Sequence, residues 1–171
     1  MRQRGQAILE FAILTPIIFA FIFIIVDFGI GLARHMILTN AVREGARYAA
    51  AGAPADSGCS QPTIVERVTC KTLAHAQGLI DSSNCPGPSC PVQVFFVDRG
   101  DPPNGQLEPG DSVAVHITYS YKLITALGLS NSIGYLHWPG IPPLKMNSCS
   151  DFSLGQVTND ATISTVNPPC D

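Results

Sequence analysis

The chain has 171 residues, of which 46% are hydrophobic and only 13% are charged, against about 25% charged residues in a typical soluble domain. Its net charge of -3 excludes a strongly basic nucleic-acid-binding protein. Its six cysteines are unusual for a cytosolic protein and typical of an exported one.

The sequence divides into two parts of different composition. Residues 1–52 carry five basic and three acidic side chains, whereas residues 53–171 carry five basic and ten acidic ones. All six cysteines and thirteen of the fourteen prolines lie in the second part. We therefore expect a basic, apolar N-terminal segment followed by an acidic domain rich in cysteine and proline.

Residues 7–26 form an apolar run that only Glu10 interrupts. As a helix these residues extend about 30 Å, which is the thickness of a bilayer core. We predict a transmembrane helix, because a domain this small has little interior in which to bury an apolar helix on all sides. A buried core helix and a signal peptide are the alternatives, but no cleavage site of small residues follows the run directly.

Basic residues flank this run on both sides, so the positive-inside rule is nearly balanced. The cysteines decide the orientation, because disulfides persist outside the cytosol. We predict a cytoplasmic N-terminus and export of residues 27–171.

The helical pattern continues beyond the membrane, which predicts one long helix over residues 6–52. Pro16 predicts a kink, because proline has no N–H for the carbonyl four residues earlier. Small residues recur every fourth position at Ala41, Gly45 and Ala49, a ridge that allows close helix packing. The exported half, residues 27–52, also carries a polar stripe of Asn40, Arg43, Glu44 and Arg47.

Residues 53–171 predict an exported domain whose elements, with the long helix, give an α+β fold. Thr63 and Glu66 fit a capping box that opens a second helix, from about 63 to 80. Alternating apolar residues and turn signals predict a small antiparallel sheet, in which the middle strand is half-buried. The predicted strands are 92–97, 113–121 and 159–166, with a short helical turn at 122–129.

The cysteines of an exported domain predict disulfides rather than a zinc site. Six cysteines allow many pairings. Proximity in the sequence, and a bridge across the last predicted strand, favour Cys59 with Cys70, Cys85 with Cys90, and Cys149 with Cys170. The last bridge closes a loop of about twenty residues, worth ~3 kcal/mol in the chain-entropy model.

Other motifs predict little chemistry. Arg99-Gly100-Asp101 is an integrin-type tripeptide, and the acids around it are a candidate Ca²⁺ site made up of Asp98, Asp101, Glu108 and Asp111. We favour solvated turn residues, because the spacing matches no calcium loop. No metal or nucleophile motif surrounds the scattered His35, His75, His116 and His137, or Ser130 and Ser132. The sequence predicts no metal, no cofactor and no enzymatic activity.

Two N-terminal stretches resemble a known family. Residues 5–11, Gly-Gln-Ala-Ile-Leu-Glu-Phe, resemble the site cut by prepilin-type peptidases: a Gly, four residues, then Glu and an aromatic at the start of an apolar helix. Residues 40–49, Asn-Ala-Val-Arg-Glu-Gly-Ala-Arg-Tyr-Ala, together with Pro16 and Asp27-Phe28-Gly29, are similar to the TadE-like family. Members of that family are minor pilins or pseudopilins of bacterial tight-adherence (Tad/Flp) pili.

The resemblance, over about residues 5–49, implies a pilin-like fold and a prepilin-type leader at residues 1–5. It implies cleavage between Gly5 and Gln6, and pairing of the new Gln6 amine of one subunit with Glu10 of another. It also implies a single-pass protein of the inner membrane, incorporated into a surface pilus. The implied partners are a prepilin peptidase, other pilins and the pilus assembly platform.

Three alternatives stay open. Two of them concern the function of the chain: it is either a stand-alone membrane-anchored adhesin or binding module, or an exported enzyme with a membrane tether. For Glu10 the alternative is a carboxylate that rests at the headgroup level, because a charge at the centre of a bilayer costs ~2.5–3.5 kcal/mol.

Overall fold

The computed structural model describes residues 3–55, 58–76, 78–80, 85, 89–99, 105–121, 143–155 and 170. The elements in chain order are α1 (Gln3–Ala50), α2 (Ile64–His75), β1 (Val92–Val97), β2 (Ser112–Tyr121) and β3 (Leu144–Ser153). The strands form one sheet in the order β1-β2-β3. A long apolar helix, a short second helix and a small antiparallel sheet confirm the predicted α+β class.

The long helix α1 has 48 residues and continues through Pro16. It ends at Ala50, and Gly52, just beyond the helix, has a left-handed backbone conformation with a φ of 81°. There the Ala53 N–H donates to the Tyr48 carbonyl and the Gly52 N–H to the Ala49 carbonyl, both over 2.9 Å. This is a Schellman motif, which satisfies carbonyls that the end of a helix leaves free.

The second helix α2 begins at the predicted capping box. The Glu66 N–H donates to Thr63 Oγ1 over 3.3 Å, and the Thr63 N–H donates to Glu66 Oε2 over 3.4 Å. The helix ends at His75, earlier than the predicted end near residue 80. The reason is a turn at Gly78, whose φ is 72°, so the apolar residues that follow it reach the core without being helical.

Strands β1 and β2 pair in antiparallel register, from Val92 opposite Ile117 to Val97 opposite Ser112. Alternate residues of both strands face the core, as the sequence predicts. The prediction that β2 is half-buried is wrong for residues 112–117, which are all buried. Both faces of β2 are therefore covered over this stretch.

Strand β3 is not predicted from the sequence. It occupies residues 144–153, between the helical turn predicted at 122–129 and the strand predicted at 159–166. The strand predicted at 159–166 and the helical turn predicted at 122–129 lie outside the described residues.

The described residues divide into two compact units. One contains α1 up to Ala33 together with Tyr121 and residues 143–144. The other contains the rest of α1, helix α2 and most of the sheet. The core of this second unit combines both helices and the two paired strands; its largest fully buried apolar residues are Leu38, Val42, Ile64, Val68, Phe96, Val113, Val115 and Ile117.

Polar contacts join the C-terminal half of α1 to the sheet. The Arg34 guanidinium donates to the Tyr119 hydroxyl of β2 over 3.0 Å. The Ser148 hydroxyl of β3 donates to Thr39 Oγ1 over 3.3 Å. This half of α1 is therefore part of the folded domain, on which the sheet and α2 pack.

Candidate functional site in the N-terminal helix

The residues that the sequence predicts for processing and assembly lie in the first turns of α1. Gly5, Gln6 and Glu10 are all helical, and four-residue spacing places Gln6 and Glu10 on one face. The Gln6 side-chain amide donates to Glu10 Oε1 over 3.3 Å. Both side chains are exposed, so another molecule has access to the Glu10 carboxylate.

After Glu10, α1 presents an uncharged apolar surface in every direction. The large side chains between Phe11 and Val26 are 48–69% exposed. Among the described residues this is the one helix that is long and apolar enough to cross a membrane, judged by length and composition. The exposure fits a single-pass membrane anchor, because water does not stabilise so wide an apolar surface.

The apolar surface is interrupted at Asp27, whose side chain is only 2% exposed. The Tyr121 hydroxyl, at the end of β2, lies 3.3 Å from Asp27 Oδ1 and 3.4 Å from the Asp27 carbonyl oxygen. A buried carboxylate needs such polar contacts. The sequence marks Asp27 only as part of a motif, because local patterns carry no signal for a partner so distant along the chain.

Beyond Asp27, one face of α1 is polar and faces solvent, as the predicted stripe requires. Arg47 donates two hydrogen bonds to the Glu44 carboxylate, over 2.8 and 3.0 Å. This guanidinium lowers the pKa of Glu44 below its usual value, against a smaller opposing effect of burial. Lys71 and His75 of α2 act in the same direction as Arg47.

The small residues Ala41, Gly45 and Ala49 lie on the buried side of α1. A Cβ added at Gly45 would overlap Oγ1 of Thr72 and lie 3.2 Å from its Cβ. This ridge therefore packs within the chain, where it lets α2 approach α1 closely.

Comparison with known families covers this part of the chain. Residues 5–47 match the family described as TadE-like protein. The N-terminal segment is TadE-like. The match includes the predicted processing site, the apolar run and most of the polar half, and it confirms the resemblance seen in the motifs. No curated protein and no solved structure matches the chain.

The matched segment, residues 5–47, is about a quarter of the chain. The family is associated with pili and is not known as enzymatic. Residues 5–47 of this chain carry the exposed Gln6–Glu10 pair, the apolar surface and the ridge at Gly45. The described residues beyond this segment include α2 and the three strands.

Beyond the TadE-like segment, all six cysteines are paired. The Cα–Cα distances are 5.8 Å for Cys59–Cys70, 4.8 Å for Cys85–Cys90 and 5.4 Å for Cys149–Cys170. Such distances suit disulfides. The sequence favours the same pairs, whose formation in the exported protein stays a prediction for peptide mapping without reductant.

Arg99, the first residue of the integrin-type tripeptide, binds other residues of the same domain through its side chain. Its Nε donates to Ser112 Oγ over 2.6 Å, and its Nη2 forms an ion pair with Asp151 over 2.8 Å. These contacts join the end of β1 to β2 and β3. An arginine engaged in this way favours a structural role over an adhesive one; the rest of the tripeptide lies outside the described residues.

Two of the candidate Ca²⁺ ligands accept hydrogen bonds from backbone N–H groups of the turn, and a third, Glu108, supplies one of these N–H groups. Asp98 accepts a hydrogen bond from the Gly105 N–H over 2.8 Å, and Asp111 accepts one from the Glu108 N–H over 2.7 Å. Such bonds are common for aspartate in turns. Within the described ranges, no group of three or more metal-ligating side chains comes together.

The three histidines in the described part of the chain do not converge. His35 is exposed, and His75 Nδ1 contacts the Lys71 carbonyl at 3.0 Å. His116 is only 8% exposed, and its Nδ1 has no hydrogen-bond partner among the described residues. Burial lowers the pKa of His116. The remaining residues considered for catalysis or metal binding, His137, Ser130 and Ser132, lie outside the described part of the chain.

Proposed function

We propose that this protein is a minor pilin or pseudopilin that takes part in the assembly of a Tad/Flp-type pilus for surface adherence. The observation that carries the proposal is the arrangement at the start of α1. Glu10 is an exposed carboxylate one helical turn after Gln6, at the head of an exposed apolar helix. The TadE-like match over residues 5–47 supports this function.

The first step is cleavage by a prepilin peptidase between Gly5 and Gln6, which removes the leader at residues 1–5. Gly5 has no side chain, so an extended backbone fits a membrane peptidase there. Because α1 begins at Gln3, the scissile bond lies in the first turn, where the helical hydrogen bonds are incomplete. That turn unwinds at little cost.

The second step is the pairing of subunits through Glu10. The hydrogen bond from the Gln6 side-chain amide is neutral, so it does not compensate the charge of the carboxylate. An ionised side chain at the bilayer centre costs ~2.5–3.5 kcal/mol. The amine that cleavage creates on Gln6 of one subunit compensates this charge on Glu10 of another.

The proposal places residues 7–26 in the inner membrane as a single span, with the N-terminus in the cytoplasm. Residues 27–52 and the disulfide-containing domain at 53–171 are exported. The partners are the prepilin peptidase, other pilins and the assembly platform. No cofactor, catalysis or nucleic acid is part of this function.

A stand-alone membrane-anchored adhesin or binding module is the alternative function. Such a protein needs the apolar helix only as an anchor, and it needs neither cleavage after Gly5 nor a carboxylate at residue 10. Changes at Glu10 therefore separate the two functions.

Glu10→Ala should leave membrane insertion intact, because it removes a charge from the apolar segment. It should lower piliation at least about tenfold, since a loss of only ~1.4 kcal/mol changes a binding equilibrium by that factor. Pili are counted by electron microscopy in cells whose own copy of the gene is deleted and replaced by the variant.

Glu44→Ala is the matched control, because it removes a carboxylate from the same helix outside the apolar segment. Its ion pair with Arg47 is on the surface, where such pairs contribute little stability. Normal piliation in Glu10→Ala cells would contradict the pairing role and favour a carboxylate that merely rests at the headgroups.

A further inference from the structure

Gln6 and Glu10 form a contact whose chemistry the assembly step does not use. We propose that Gln6, once cleavage makes it the first residue, cyclises to pyroglutamate, and that Glu10 transfers the proton to the departing side-chain nitrogen. The inference rests on the proposed function, because it requires the cleavage after Gly5. It makes Gln6 a site of covalent modification.

The nucleophile is the backbone nitrogen of Gln6. In the uncut chain this nitrogen belongs to a peptide bond in the first turns of α1. Cleavage removes residues 1–5 and converts the nitrogen into a free amine. The amine and the side-chain carbonyl carbon of the same residue close a five-membered ring, so the reaction has the high effective concentration of an intramolecular step.

The leaving group is the Gln6 side-chain nitrogen, Nε2. This is the atom that lies 3.3 Å from Glu10 Oε1, close to the separation of about 2.6–3.2 Å at which general acids transfer protons. Both side chains are exposed, so ammonia leaves without displacing other parts of the fold. The four-residue spacing that brings them together lies wholly within the mature chain.

The step balances within one chain. The backbone nitrogen forms a bond to Cδ of Gln6, and the bond between Cδ and Nε2 breaks. The proton that the backbone nitrogen loses reaches Nε2 through Glu10, which ends in its starting state, and ammonia departs. No oxidant or second substrate takes part, and a neutral lactam replaces the amine.

Cyclisation removes the charge that subunit pairing requires. The lactam N–H still donates a hydrogen bond, but it does not compensate the charge of Glu10 on a neighbouring subunit. Assembly and cyclisation therefore compete for the same nitrogen. We expect subunits that wait in the membrane to carry more pyroglutamate than subunits incorporated into pili.

The test follows the N-terminal peptide of the full chain, produced in cells that contain the peptidase and extracted from membranes in detergent. Mass spectrometry during incubation should show a peptide that begins at residue 6 and is lighter by one ammonia. The peptide should resist amine-reactive reagents until pyroglutamyl aminopeptidase removes its first residue.

Two variants separate the parts of the proposal. Gln6→Asn keeps an amide, but its ring would have four members, so this variant should retain its free amine. Glu10→Gln should slow the release of ammonia on the order of 100-fold, at the lower end of general acid–base effects. Glu44→Gln, changed outside this contact, should cyclise at the rate of the unchanged protein.

The outcomes distinguish a failure of the cyclisation from a failure of the proposed function. A peptide that begins at Gln6 and keeps its free amine throughout overturns the cyclisation but leaves the proposed processing intact. A chain that still begins at Met1 overturns the processing, and the cyclisation with it. Equal rates for the unchanged protein and Glu10→Gln overturn the role of Glu10.

Discussion

At Gly45 the long helix α1 makes a close approach to α2. An added Cβ would overlap Oγ1 of Thr72, which is fully buried. Thr72 is held in place because its hydroxyl donates to the Val68 carbonyl over 2.7 Å. Gly29, on the same helix, has nothing within 4 Å of an added Cβ. The two glycines therefore differ in what a side chain would meet.

Overpacking usually costs about 1–3 kcal/mol, and the gain in helix propensity of alanine over glycine offsets ~1 kcal/mol of that cost. Gly45→Ala should therefore lower the free energy of unfolding by up to about 2 kcal/mol. Gly29→Ala is the matched control and should be neutral or stabilising. Unfolding in detergent, followed by circular dichroism, measures both; equal stability of the two variants would contradict the close approach at Gly45.

Among the elements, the helices are more predictable than the strands. The sequence predicts most of α1 and the start of α2, because a long apolar run, a capping box and a glycine after the last turn are local signals. In strand β3 the apolar alternation is limited to Leu144 and Met146, and only Ser148 within the strand is buried. It is a strand because it pairs with β2, and no local pattern reports pairing between distant segments.

Strand β2 shows a second limit of local patterns. Its alternating apolar residues predict one buried face correctly, but Ser112, Ala114 and His116 on the other face are buried too. Burial of a small or polar residue depends on what packs over it, which its own neighbours in sequence do not reveal.

His116 makes the stability of the domain depend on pH. Burial lowers its pKa in the folded state, whereas the unfolded chain binds a proton near pH ~6.5. The unfolded state therefore binds more protons, and the free energy of unfolding falls as the pH is lowered from about 6.5 through the folded-state pKa. Above about pH 6.5 this loss of stability is absent.

Replacing His116 by Gln should remove this loss of stability between neutral and mildly acidic pH, as measured by denaturant unfolding at a series of pH values. The pKa of Glu44 is also lowered in the fold. Its effect on the free energy of unfolding appears only below its usual pKa of 4.5, so the effects of the two residues fall in different pH ranges. His75→Gln is the control, an exposed histidine. The same dependence on pH in His116→Gln would contradict the account of β2.

At the scale of the whole molecule, the two halves of α1 differ in what surrounds their apolar side chains. Its N-terminal half exposes apolar side chains on all sides, and its C-terminal half carries the core of the folded domain. The sequence predicts this division from charge, hydropathy and cysteine distribution. The resemblance implies a pairing of Gln6 with Glu10 only between subunits; the hydrogen bond between them within one chain is a finding of the structure, which four-residue spacing on a helix explains. The contacts Asp27–Tyr121 and Gly45–Thr72 depend on tertiary packing and have no such signal.

The central claim is that the chain is processed as a pilin subunit before it assembles. The most direct measurement is the N-terminal residue of the membrane-extracted protein, determined in cells with the prepilin peptidase and in cells that lack it. The account predicts that the chain begins at residue 6 in the first cells and stays uncut in the second. It also predicts that Gly5→Leu stays uncut in both, because a bulky side chain does not fit the extended backbone site. A chain that remains uncut in cells with an active peptidase would contradict the claim.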